Sequence, residues 1–180
     1  MNQKVKLKDK EFEIFIEKPG IDSIVGQLAA QLNRDLQGKN VMFLAILNGA
    51  FMFAADIIRV VDFHPRISFL KLASYSGASS TGKVKQLIGL NEELKGMTVV
   101  VLEDIVDTGV TMDSIIRQIR GFNPDEVKIC TFLYKPSAYK GNIHIDYVGK
   151  EIPNDFVVGY GLDYDGFGRH LDGVYRIIKS

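Results

Sequence analysis

The chain has 180 residues, 46% hydrophobic and 24% charged, with 22 Lys and Arg against 22 Asp and Glu and a single cysteine, Cys130. That length predicts one domain able to bury its own core, and the composition excludes a disordered, collagenous or fibrous chain. The zero charge sum argues against a nucleic-acid coat or a polybasic membrane clamp, while one cysteine allows no internal disulfide and suits a reducing cytoplasm.

Met1 to Lys8 alternates lysine with single apolar side chains and leads into no apolar core, so it does not read as a signal peptide. An alternating stretch, Glu11 to Glu17, is closed by Pro19-Gly20. Asp22 or Ser23 is then placed to cap a helix whose apolar residues, Ile24, Val25, Leu28, Leu32 and Leu36, step by three and four along one face; Gly38 ends it. Val41 to Leu47 is a continuous apolar run, the pattern of a strand buried on both faces. It is far shorter than the ~18 residues needed to cross a bilayer. Asn48-Gly49 turns the chain, Ala50 to Val61 reads as a helix, and Ile67 to Ala73 as a second strand. Ser74 to Gly82 has almost no apolar content and predicts a mobile loop. Val84 to Ile88 suggests another strand, and Thr98 to Leu102 a short buried one. A helix over Thr111 to Arg120 is stopped by Gly121 and Pro124, strands follow at Val127 to Tyr134, and Phe156-Val157-Val158 reads as a last core strand. Alternating helices and apolar strands predict an α/β fold with a mainly parallel sheet, whose ligands sit beyond the carboxyl ends of the strands.

The most informative segment is Val99 to Thr111. An apolar strand stops at two adjacent carboxylates, Glu103 and Asp104; Asp107 follows, and Thr108-Gly109-Val110-Thr111 opens a helix. Thr-Gly-x-Thr at a strand-to-helix turn suits a phosphate. Backbone N–H groups at the helix start point outward, the macrodipole is positive there, and two hydroxyls add donors. Carboxylates beside a phosphate make sense if they face sugar hydroxyls, a divalent cation or a proton to be removed. The pattern therefore asks for a phosphorylated sugar with magnesium nearby. The plainer reading is an acidic turn followed by a helix capped by Asp107 or Thr108. Asp107-Thr108-Gly109 is also the aspartic-protease triplet, but those enzymes are all-β and pair two such triplets, and only one occurs here.

This segment resembles the phosphoribosyl-diphosphate signature of the purine phosphoribosyltransferases. Within that family the chain is similar to the hypoxanthine-guanine enzymes, in order from about Phe12 to Ile178. Leu47-Asn48-Gly49-Ala50, Ser74-Tyr75 with Ser80-Thr81-Gly82, Tyr134-Lys135, and Phe156 to Tyr164 with Arg169 carry the likeness further. The resemblance implies a type I phosphoribosyltransferase fold in one domain over residues 1–180. Helices would flank a mainly parallel central sheet, with a small hood from the N-terminal segment and about 136–180, and a mobile loop at about 74–82. It implies Mg2+-dependent transfer of the 5-phosphoribosyl group from phosphoribosyl diphosphate to a 6-oxopurine. Hypoxanthine and guanine would give IMP and GMP with release of pyrophosphate, in a cytoplasmic homodimer or homotetramer that needs neither nucleic acid nor membrane.

By the same resemblance, Asp107 is the general acid/base at purine N7, and Glu103 and Asp104 address the ribose hydroxyls directly or through Mg2+. Thr108, Gly109, Val110 and Thr111 cradle the 5′-phosphate. Lys135 donates to the purine 6-oxo group, Phe156 stacks on the ring, Val157 offers backbone groups to the base edge, and Ile105 and Leu162 complete that pocket with Asp163. Asp163 also holds a second Mg2+ on pyrophosphate, which Asn48, Gly49 and Arg169 bind. Ser74 and Tyr75 lie on the loop that closes over the site and excludes water. The family often has Lys or Arg where this chain has Asn48, so a point charge is lost. The resemblance implies that the turn's N–H groups still meet pyrophosphate, through a cis peptide at Leu47-Asn48 in the manner of the family. Each residue also has a plainer reading: Lys135 as a solvated strand-end lysine, Phe156 as a core aromatic, Glu103 and Asp104 as a solvated turn.

Other patterns lead nowhere. Asp163 to Val174 fails as a calcium loop, because Phe167 and Val174 stand where oxygen ligands are needed. Gly159-x-Gly161 lacks the third glycine and the helix of a dinucleotide site. His64, His144 and His170 are scattered singly. The rival reading is a non-catalytic regulator that binds nucleotide or RNA on the same fold. An RNA binder should show a basic face, against which the zero charge sum counts, and a nucleotide sensor has little use for Asp107 and Lys135 together.

Overall fold

The apolar runs become interior strands and the 3–4 periodicities become the helices that cover them. The computed structural model describes residues 4–73, 85–88 and 92–178. Its elements follow as β1 (Lys4–Leu7), β2 (Lys10–Ile16), α1 (Lys18–Leu36), β3 (Val41–Leu47), α2 (Phe51–Val60), β4 (Arg66–Ala73), β5 (Lys85–Ile88), β6 (Thr98–Val106), α3 (Val110–Arg120), β7 (Glu126–Tyr134), β8 (Tyr147–Glu151), β9 (Val157–Val158) and β10 (Val174–Ile177). The main sheet has the order β5-β4-β3-β6-β7-β8, all parallel except β5 at one edge. A four-stranded antiparallel sheet, β1-β2-β10-β9, is built from the two ends of the chain. This is the expected α/β architecture with its hood. The predicted loop with Ser74, Tyr75, Ser80, Thr81 and Gly82 lies outside the described residues.

Alternation along the strands sorts the core into two layers. Phe43, Ala45, Val100, Leu102 and Phe132 share a cluster with Ile21, Leu28 and Leu32 of α1 and Phe53 and Ile57 of α2. Met42, Leu44, Val99, Val101 and Ile129 share another with Met112, Ile115, Ile116 and Ile119 of α3. Apolar side chains on both faces are what a parallel sheet between helices requires. Leu7, Phe12, Val158 and Tyr175 form a separate small core in the hood.

Four expectations change. The helix α1 starts at Lys18, with Glu17 as N-cap and Pro19 in its first turn, so Pro19-Gly20 opens the helix and neither Asp22 nor Ser23 caps it. Proline's fixed φ suits a first turn whose N–H groups lack partners anyway. The strand β6 does not stop at Leu102 but runs through both carboxylates to Val106, because its ladder with β7 continues through Glu103↔Thr131 and Ile105↔Leu133. The last apolar run, at Val157-Val158, pairs with β10 in the hood rather than joining the main sheet. Tyr147–Glu151, short and of mixed polarity, becomes the edge strand β8, so the hood draws only on 157–177 from the C-terminal part.

Candidate active site

Strand ends, one turn and one hood segment assemble the site. At the carboxyl end of β6 adjacent side chains face opposite sides of the sheet. Asp104 faces the Asn48-Gly49 turn, so closely that a methyl group on Gly49 would collide with its carboxylate. Glu103 lines a cleft of about 140 Å³ with Ile105, Val106, Asp107, Thr108, Gly109 and Met112. Burial pushes the Glu103 carboxyl well above its ordinary range, with the neighbouring Asp104 charge adding to the shift. Burial also lifts Asp104, to about 6, against the opposing pull of backbone N–H groups and Arg169. The Glu103 Oε2 atom is buried and has no hydrogen-bond partner among the described residues. A buried orphan acceptor is costly, and a ligand's hydroxyl or cation would relieve it.

Beyond β6 the chain enters α3. Gly109, with φ +82, is the N-cap, and no side chain caps the helix, so neither Asp107 nor Thr108 plays the capping role. The first-turn N–H groups are thereby left to a ligand, the arrangement an anion needs. Val110 is exposed and Thr111 lies in the first turn. Sequence reasoning missed what holds this turn in place. The Tyr139 ring covers Gly109 where any side chain would collide, and its hydroxyl donates to the Ile143 carbonyl at 2.6 Å. The Lys140 N–H donates to the Thr108 carbonyl at 3.1 Å. Only the presence of Gly109 hinted at a close neighbour.

Lys135 follows β7 directly. Its side chain is 8% exposed, and Nζ donates to Asp107 Oδ2 at 2.9 Å, while Asp107 remains 44% exposed. The two residues singled out for proton transfer and 6-oxo recognition thus meet each other across the strand ends. The strand-end lysine is not solvated.

The Leu47–Asn48 peptide is cis, as the family resemblance implied, and Asn48 is exposed. The Gly49 carbonyl lies against Gly161. Arg169 Nη1 donates to the Gly161 carbonyl at 2.6 Å, and Nη2 pairs with Asp163 Oδ1 at 2.6 Å. Asn48, Gly49, Asp104, Asp163 and Arg169 therefore form one contiguous group. Leu162 and Val157 are buried in the main core. Phe156 is 44% exposed rather than a core aromatic, its ring backed by Phe12 at 6.3 Å and Tyr164 at 5.9 Å. Ser74 and Tyr75 lie outside the described residues.

A parallel sheet with its chemistry at the strand ends, a phosphate-type helix start and an acid–lysine pair define a phosphoribosyltransferase. The chain matches the phosphoribosyl transferase domain family over residues 15–165 and belongs to it. It is 39% identical over 160 residues to a hypoxanthine-guanine phosphoribosyltransferase of Staphylococcus aureus, covering 88% of this chain and 89% of the relative. A crystal structure of a hypoxanthine phosphoribosyltransferase from that organism superposes with a TM-score of 0.87 at 38% identity, covering 92% of this chain and 91% of the other. A hypoxanthine-guanine phosphoribosyltransferase structure from Bacillus anthracis gives a TM-score of 0.86 at 34% identity, covering 92% and 96%.

Proposed function

We propose that this protein serves purine salvage, transferring the 5-phosphoribosyl group of phosphoribosyl diphosphate to hypoxanthine and guanine to give IMP or GMP and pyrophosphate. The observation that carries the reading is the buried Lys135 ammonium held at 2.9 Å from the half-exposed Asp107 carboxylate, beside an uncapped helix start. A buried cation paired with a carboxylate that lines the cleft is a donor for a carbonyl such as the purine 6-oxo group. The carboxylate beside it is placed to hold the proton that moves at N7. The N–H groups of the α3 first turn suit the 5′-phosphate. Phe156 offers its exposed ring to the base, and Arg169 offers pyrophosphate a planar fork.

Magnesium fits these residues. Among the described residues no three His, Cys, Asp or Glu side chains cluster as an all-protein cage. Mg2+ is ordinarily held by one or two carboxylates together with substrate phosphates and water. Glu103, with its orphaned oxygen, Asp104 and Asp163 are the carboxylates available for that role. The ion would neutralise the charge of the departing pyrophosphate.

We assign the protein to the cytoplasm, on a single cysteine that allows no internal disulfide, and to a homodimer or homotetramer. Among the described residues no helix is long and apolar enough to cross a membrane.

Nucleotide formation from phosphoribosyl diphosphate and Mg2+, measured with hypoxanthine, guanine, xanthine and adenine in parallel, tests the reading. Turnover of 6-oxopurines with adenine inert is expected. No turnover in folded protein that binds the diphosphate would favour a non-catalytic regulator.

A further inference from the structure

We propose that Tyr160 is a positioning residue for the pyrophosphate half of the site, acting through Asp56; the inference rests on the reaction proposed above. Tyr160 is 1% exposed, and its ring lies 4.8 Å from that of Phe132 on β7. Its hydroxyl donates to Asp56 Oδ2 at 2.7 Å. Asp56 belongs to α2, the helix that starts directly after the Asn48-Gly49 turn. Lys18 Nζ at 4.0 Å and Arg59 Nη1 at 3.7 Å hold the same carboxylate. Tyr160 thus ties together α2, β7 and the segment between β9 and β10.

The backbone at this point runs against its own preference. Tyr160 has φ +48, between Gly159 at +95 and Gly161 at +97. Left-handed geometry is ordinary for glycine and unfavourable for an aromatic residue. It persists only where the surroundings over-determine it, here a buried ring and a hydrogen-bonded hydroxyl. The result is that Gly161 rests on the Gly49 carbonyl, where no side chain fits. Gly161 then carries the arginine. Its carbonyl accepts from Arg169 Nη1 at 2.6 Å, and its N–H donates to the Arg169 carbonyl at 3.0 Å. The turn at Asn48-Gly49 and the Arg169–Asp163 pair are placed relative to each other through Tyr160. The base side is held by other means: Val157 and Val158 by their ladder to Arg176 and Tyr175, and Lys135 by Asp107. Leu162 and Asp163 follow this turn directly, so loosening Tyr160 should disturb the pyrophosphate groups more than the base.

Tyr160→Phe keeps the ring and removes the hydrogen bond. Asp56→Ala removes the acceptor from a partly exposed helix position and gives a second variant should the first fail to fold. Steady-state kinetics should show KM for phosphoribosyl diphosphate rising about tenfold in each, the scale of losing a hydrogen bond to a charged group. KM for hypoxanthine should stay within about twofold, and the double variant should be no worse than either single one, since both remove the same contact. Calorimetric titration with pyrophosphate alone should show the same weakening. Unchanged pyrophosphate affinity, or equal losses for both substrates, would overturn the assignment. A wild-type protein that binds pyrophosphate but forms no nucleotide would count against the proposed reaction, and the pyrophosphate titrations would still decide the role of Tyr160.

Discussion

Lys135 and Asp107 depend on each other. A buried ammonium is tolerated only with a partner, and the Asp107 carboxylate accepts from it at 2.9 Å. Asp107→Asn should lower kcat by roughly two to four decades, the usual worth of general acid–base catalysis, with diphosphate binding largely kept. Lys135→Met should narrow the difference in kcat/KM between hypoxanthine and adenine; unchanged values for both bases would remove the 6-oxo role.

At Asp104 the expectation concerns pH. Burial lifts its carboxyl to about 6, against ~3.9 in an unfolded chain. Between those values the folded protein holds a proton that the unfolded chain has released, so this group's contribution to stability falls as pH rises and levels off above about 6. Asp104→Asn should make the metal-free protein more resistant to urea at pH 7.5 than wild type, by up to about 3 kcal/mol, with the difference shrinking toward pH 4. A constant difference across that range would show that Asp104 does not titrate in this window. The acidic composition of Glu103-Asp104-x-x-Asp107 was visible in the sequence. That the first two lie on opposite faces became visible only once β6 was seen to run through them.

Turns at the element scale carry the site, and their glycines carry the turns. Gly49 sits between the Asp104 carboxylate and Gly161, with no room for a methyl group on the Asp104 side. Gly49→Ala should cost about 10²-fold in kcat/KM for phosphoribosyl diphosphate, the scale of a 1 Å misplacement near a reacting centre. Kinetics close to wild type would mean that the turn relaxes freely. Helix α1 was legible from Ile24, Val25, Leu28, Leu32 and Leu36, all buried. Its start was not, because Pro19-Gly20 reads equally well as the end of a strand or the first turn of a helix, and only the following contacts choose. The strands β8 and β10 left a weak trace. Five and four residues long, they show little alternation, and β10 pairs with β2 at the other end of the chain.

The molecule as a whole joins a parallel sheet to a hood made from both chain ends. Strand β10 pairs with β2 across almost the full length of the chain, and the hood places Phe156, Asp163 and Arg169. Outside that assembly, Phe51 and Val60 of α2 are 42% and 47% exposed. The two lie nine residues apart, on opposite sides of the helix, and with the Phe51 ring near Gly161 it is Val60 that we assign to the contact in the proposed oligomer. Sedimentation should show a dimer or tetramer, and Val60→Glu should shift it toward monomer. A monomeric wild type would remove this contact.

By itself the sequence determined the α/β class, the glycine turn that opens α3 and the run of carboxylates at the end of β6. These follow from local periodicity, from backbone freedom at single glycines and from side-chain type, all carried by neighbouring residues. Tertiary structure alone decided that Lys135 meets Asp107, that Tyr139 covers Gly109 and that Tyr160 locks Gly161 onto Gly49. It also decided that the last apolar run belongs to the hood. Those outcomes depend on which distant segments pack against each other, a choice made by the free energy of the whole core and written in no local pattern.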